Sequence, residues 1–131
     1  MQVDASWPHG MNQLVESGQL EWQPLQEPGV SGVLVKGLRF DKATGRAPTI
    51  LLRFEPGASY PLHNHPGGEE VFVLEGDVWL GKDHLRTGDY LYTAPNNKHA
   101  AKSDGGCVLV VVVPEAVEIL AHTKRASHEG A

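Results

Sequence analysis

Residues 57–76 read GASYPLHNHPGGEEVFVLEG. Side chains alternate faces along a strand, so His63 and His65 fall on one side, about 7 Å apart. Pro66 disfavours helix at the residue before it and keeps His65 extended. Gly67 and Gly68 then permit a tight reversal that brings Glu69 back toward the histidines. Two neutral imidazoles and one carboxylate on a common face form a partial shell for a divalent first-row metal. Glu70 is the alternative ligand if the loop is one residue longer. Strand alternation turns it away from Glu69, so it reads as a surface or interface carboxylate. Gly57, after Pro56, reads as a turn, and Gly76 as the reversal of the next hairpin.

Outward from this stretch the chain keeps the same rhythm. Fifteen glycines and nine prolines separate short β-branched and aromatic runs: VSGVLVKGLRF from Val30, TILLRF from Thr49, DVWLG from Asp77, DYLYTAP from Asp89 and CVLVVVV from Cys107. Runs of this kind at this spacing predict an all-β sandwich or barrel. Glu75-Gly76-Asp77 and Lys82-Asp83 read as hairpin connections. Several runs are apolar on both faces, Val71 to Leu74 and Val108 to Val113 above all, as in strands covered on both sides. Little else in so short a chain can cover an outer face, which predicts a homodimer.

The 131 residues suit one domain with a single core, and 40% hydrophobic with 21% charged residues are globular values. The expected organisation is an arm over 1–29 with a short helix or strand, a β-barrel over 30–121, and a polar, disordered tail over 122–131. Residues 11–20 are compatible with a short helical turn, and Glu115 to Ala121, after Pro114, with a closing turn of helix. A net charge of −5 without a basic block argues against nucleic acid or an anionic membrane as the main partner. No apolar run approaches the roughly 20 residues that cross a bilayer, and MQVDASWPHG does not resemble a secretion signal. The lone Cys107 makes no internal disulfide, so a cytoplasmic protein is expected.

The pattern Gly57, His63, His65, Glu69, Gly76 matches G-x5-H-x-H-x3-E-x6-G, the first motif of the cupin family. From Gly88 the chain reads GDYLYTAPNNKHAAKS, which resembles the second motif, G-x5-P-x-G-x2-H-x3-N, with Gly88 and His99 in register. Ala94, Asn96 and Ser103 depart from it, where proline, glycine and asparagine are usual. Asn tolerates the left-handed backbone better than most residues, so Asn96 is a mild change. The resemblance implies a cupin double-stranded β-helix, a small antiparallel β-barrel or jelly roll with its metal inside. It also implies that His99 completes a ligand set of His63, His65, Glu69 and His99. His99 follows APNN at a strand start, from which it can face inward.

One divalent transition metal, Fe, Mn, Ni or Zn, suits three neutral histidines and a carboxylate. An octahedral ion keeps two positions for other ligands, whereas tetrahedral zinc closes the site. HNHPGGEEVFVLEGD and the segment before it resemble the ChrR-like cupins. That group includes the metal-binding domain of a bacterial anti-sigma factor and an iron-dependent acetylacetone dioxygenase. The resemblance implies a metal-dependent, Fe-type dioxygenase of a small chelating carbonyl or hydroxyl compound. The alternative is a non-enzymatic metal- or small-ligand-binding sensor module. About thirty residues precede the first strand-like run, with no counterpart of the anti-sigma zinc-binding helical domain, so sequestration of a sigma factor is not expected.

The remaining polar and aromatic residues read more plainly. His9, His84, His122 and His128 fall in termini or a turn and are expected at the surface. Cys107 opens a buried run and reads as a small hydrophobe. Trp7, Trp22 and Trp79 read as packing. Arg53, Glu55, Tyr60, Tyr90 and Tyr92 neighbour the ligand-bearing strands, and the pattern does not rank them as pocket residues.

Overall fold

The structure is a computed structural model that describes residues 12–120. His9, His122, His128, Trp7 and the tail expected over 122–131 lie outside the described residues. Among the described residues nine strands run β1 Gln23–Pro24, β2 Ser31–Asp41, β3 Arg46–His65, β4 Glu69–Leu80, β5 Asp83–Arg86, β6 Tyr90–Thr93, β7 Asn97–Ser103, β8 Cys107–Val112 and β9 Glu118–Ile119. A 3-10 turn, Ser17–Gln19, falls within the stretch expected to be helical. The all-β expectation is met.

Two long strands organise the barrel. The first half of β3 pairs β2 and β8, and its second half pairs β7 and β9. In the same way β4 pairs β6 and β8 first, then β5 and β7. Because β7 and β8 each bridge β3 to β4, the sheet closes on itself.

This corrects the reading of the glycines. Gly57 and Gly76 are not chain reversals; they lie inside β3 and β4, at φ +85° and +77°. At these points each strand changes partners, and a bend with positive φ is most readily made by glycine. Glu75-Gly76-Asp77 is accordingly not a hairpin, and β4 continues to Leu80. Two further expectations fail. The segment after Pro114 forms β9, not helix, because its backbone is drawn onto β3 opposite His63 and Asn64. His84 sits within β5, half-buried, stacked flat on Trp79 across the strand pair and bonded to Asp77, so it is not a turn residue.

The inner face is apolar: Val71, Val73, Val78, Leu109 and Val111 are buried, with Phe54 and Leu85 beside them. Burial alternates along β4 and β8, as a pleated sheet with one face inward requires. Cys107 is buried and free. Ser103, where the motif usually has asparagine, is also buried and donates to the Asp77 carbonyl at 2.6 Å. Asn96 takes up φ +66°, the conformation for which glycine is usual there. Among the described residues no helix is long and apolar enough to cross a membrane.

Candidate metal centre

The antiparallel register of β3 and β7 sets His63 directly opposite His99. His65 follows two residues on, and the Pro66–Gly68 reversal, closed by the Gly68 amide on the His65 carbonyl at 3.1 Å, delivers Glu69 as the first residue of β4. The His65 carbonyl also accepts the Asn96 amide at 2.7 Å, tying the β6–β7 loop to the same corner. Gly68 has φ +80°, and an added Cβ would meet the Thr93 carbonyl oxygen at 2.8 Å, so the turn takes no side chain there.

The three imidazoles meet edge-on, with ring centroids 4.6 to 5.0 Å apart. One donor atom from each of His63, His65 and His99 lies within 4.8 Å of the others. The Nε2 atoms of His65 and His99 are 3.3 Å apart, and Glu69 Oε1 is 3.3 Å and 3.4 Å from them. Despite those distances Glu69 Oε1 is buried with no hydrogen-bond partner. A buried carboxylate oxygen without a hydrogen-bond partner, set among imidazole nitrogens, is costly unless something of opposite charge lies among them. A divalent cation meets that need. These residues therefore fit a metal.

Supporting contacts fix the donors. His63 Nδ1 lies 2.7 Å from the Pro61 carbonyl oxygen. A carbonyl only accepts, so the proton is on Nδ1 and Nε2 is left bare, as a ligand requires. Burial lowers the pKa of His63 to about 4, with His65 and His99 adding to the effect and the Pro61 contact opposing it. Burial, then His99, lowers His65 to about 4 as well. Both rings are thus neutral at physiological pH. His65 Nδ1 is buried and unpartnered, so no hydrogen bond from that atom orients the ring.

Among the other residues singled out, Glu70 faces solvent and accepts from the Tyr90 hydroxyl at 2.7 Å. Tyr90 and Tyr92 are exposed, and Arg53 pairs with Glu55 at the surface at 3.3 Å. Tyr60 is the pocket residue of that group. It stacks edge-on against His63, 4.6 Å between centroids, and its hydroxyl donates a hydrogen bond to Glu27. Residues three apart on a regular strand face opposite ways; a register shift between Tyr60 and His63 turns both inward. Pro61, which cannot donate to a ladder, was the sequence signal for that irregularity. Sequence reasoning did not find Glu27 at all, since it comes from a turn 33 residues away.

The donor set opens into a cavity of about 390 Å³. Its walls are largely apolar, from Ile50, Leu52, Val71, Leu109, Val117 and Ile119. The β1–β2 connection and the segment around β9 each supply part of the wall.

Residues 11–116 match the ChrR cupin-like domain family. The chain is a ChrR-like cupin. Solved structures carry the same fold at low identity. The polyketide cyclase RemF of Streptomyces resistomycificus superposes on this cupin with TM-score 0.69 at 23% identity, over 84% of this chain and 86% of that one. An acetylacetone dioxygenase of Acinetobacter johnsonii gives TM-score 0.70 at 14% identity, over 90% and 80%. Rhodobacter sphaeroides SigE in complex with the anti-sigma ChrR gives 0.61 at 23% identity, over 74% of this cupin and 50% of the matched chain. No curated protein matches its sequence.

Proposed function

We propose that this cupin is a metal-dependent dioxygenase of the Fe type, acting on a small chelating carbonyl or hydroxyl compound. His63, His65, Glu69 and His99 are the proposed ligands. The observation that carries the reading is a buried donor set, with an orphaned carboxylate oxygen, opening into a largely apolar cavity. Three neutral imidazoles and one carboxylate leave a divalent ion with a net charge of +1, which attracts an anionic oxygen donor. Bound there, a redox-capable ion supplies Lewis acidity toward substrate oxygens and electron exchange with dioxygen. The protein's part is to hold the donors, keep the two most buried imidazoles unprotonated, and exclude water with apolar walls. The fold likeness to an acetylacetone dioxygenase supports the same direction.

A second reading, a closed zinc module used for sensing, is favoured by the 3.3–3.4 Å spacing among the His65, His99 and Glu69 donor atoms. The edge of a tetrahedron with zinc–nitrogen bonds of ordinary length is about 3.4 Å. The fold likeness to the anti-sigma ChrR supports it as well.

One experiment separates the two. Protein prepared anaerobically is assayed for metal, loaded with Fe(II), and screened for dioxygen uptake with β-dicarbonyl and catechol-like compounds. Uptake that depends on both iron and an added compound supports the dioxygenase. Four-coordinate zinc at full stoichiometry, with no uptake by the iron form, supports the module.

We further propose that the chain is a homodimer, on the strength of the large apolar side chains Phe72, Leu74, Tyr90 and Tyr92 left exposed on the outer face of β4 and β6.

A further inference from the structure

Outside the four candidate ligands, the polar side chains lining the cavity among the described residues are Glu27, Arg46 and Tyr60. Arg46 is engaged elsewhere: its two Nη atoms donate to the main-chain oxygens of Pro114 and Val113, both at 3.1 Å. Glu27 and Tyr60 are engaged with each other, and that contact has a direction. The Tyr60 hydroxyl donates to Glu27 Oε1, so its one proton is already used. What the pair offers the cavity is a phenolic lone pair and carboxylate lone pairs: acceptors only.

The pair is built in, not incidental. The Val30 amide closes a turn on the Glu27 carbonyl at 3.2 Å, and Gly29 at φ +79° packs so closely on Pro61 that an added Cβ would lie 3.1 Å from its ring. The same Pro61 marks the irregularity that turns Tyr60 inward. Tyr60 leans edge-on against His63, and Glu27 and Tyr60 line the same cavity as the four candidate ligands.

We propose that Glu27 and Tyr60 form a specificity subsite that recognises a neutral hydroxyl donor on the ligand, next to the oxygens it offers the metal. This deepens the reading of the metal centre and rests on it. The ligand class is a compact apolar or aromatic molecule with a chelating oxygen pair and an adjacent free hydroxyl. A carboxylate at the subsite repels an anionic group, and an ether or carbonyl in the hydroxyl's place leaves the acceptors facing another acceptor. Tyr60 and Glu27 are positioning residues here, since nothing in the arrangement requires them to react.

The test uses nickel(II)-loaded protein, whose octahedral preference leaves positions for a chelate and which binds without turnover, titrated calorimetrically under anaerobic conditions with pyrogallol and with 3-methoxycatechol. Both probes carry the same chelating diol; only the third group changes, from hydroxyl to methoxyl. Wild type is expected to bind pyrogallol about tenfold more tightly, and Glu27→Gln and Tyr60→Phe are each expected to bring the two probes within about twofold at unchanged nickel stoichiometry. Equal affinities in the wild type, a preference retained in either variant, or nickel-loaded wild type that binds neither probe overturns the proposal. Wild type that takes up no nickel instead overturns the metal centre, and the subsite falls with it.

Discussion

His63 donates a hydrogen bond from Nδ1 to the carbonyl of Pro61, two residues earlier on the same strand. The irregularity that turns Tyr60 inward therefore also supplies the acceptor that orients the first histidine. A ring fixed in this way presents Nε2 as a lone pair before any ion arrives, so part of the cost of organising the site is met by folding.

That tautomer is directly observable. Nitrogen-15 NMR of metal-free protein near neutral pH is expected to show His63 protonated at Nδ1 and bare at Nε2. The opposite tautomer would mean that the ring is not held by Pro61, and the account of its orientation would be wrong.

Two neighbouring glutamates provide a sharper contrast. Glu69 is buried among the imidazoles, whereas Glu70 faces solvent under the Tyr90 hydroxyl. Glu69→Gln keeps the size and loses the charge, and is expected to weaken metal binding by more than the roughly 10- to 100-fold that loss of an outer-shell partner costs. Glu70→Gln is expected to leave both affinity and stoichiometry unchanged. Metal-competition titrations of the two variants check this, and equal effects would show that the loop was read one residue out of place.

Acid should act on the metal-free protein through the same rings. His63 and His65 have folded pKa values near 4, below the ordinary 6.5, so between those values the unfolded chain binds more protons than the folded one. Their contribution to stability is complete above about pH 6.5 and is lost as the pH falls toward about 4. Urea midpoints of metal-free protein should be level above about pH 7 and decline from about 6.5 to 5, before most carboxylates titrate. His65→Gln should flatten that decline. A midpoint that does not fall over this range would show that the rings are not buried neutral.

The sequence made the ligand pattern legible because each of its parts is local: a two-residue alternation, a proline, a pair of glycines, a glutamate. The second histidine-bearing strand was reachable only through the family motif, since nothing local to His99 says that it lies opposite His63. Tyr60 and Glu27 were hidden for different reasons. A departure from strand periodicity reverses the facing of Tyr60, and a contact spanning 33 residues brings in Glu27. The fold class followed from the spacing of β-branched runs. The strand boundaries did not, because the glycines that looked like chain ends sit at bends where β3 and β4 change partners without stopping.

Gly76 provides a test of that last point. An added Cβ would lie 2.2 Å from the Gly106 carbonyl oxygen, at a φ of +77° that L-residues avoid. Gly76→Ala is expected to cost about 3 kcal/mol or more, from backbone strain and displacement of the β8 entry together. Gly105→Ala has open space and no positive φ, and should stay within about 0.5 kcal/mol of wild type. Chemical denaturation of both variants checks the difference. If Gly76→Ala were as stable as Gly105→Ala, the close approach of β4 and β8 at this bend would be refuted.

The outer face of β4 raises the question of what covers it. Phe72 is 40% exposed, and its register partners are Tyr90 on β6, 55% exposed, and Val110 on β8. Leu74 and Tyr92 add to an apolar surface of the kind that monomers seldom leave bare. A second copy is the proposed cover, so light scattering coupled to size exclusion should report about twice the 14.2 kDa chain mass. Phe72→Glu places a charge in the middle of that surface and should yield monomer. Because Phe72 points away from the barrel interior, metal stoichiometry should be untouched. A wild type that is monomeric at micromolar concentration would remove the dimer from the account and leave the metal centre standing, since all four candidate ligands come from one chain.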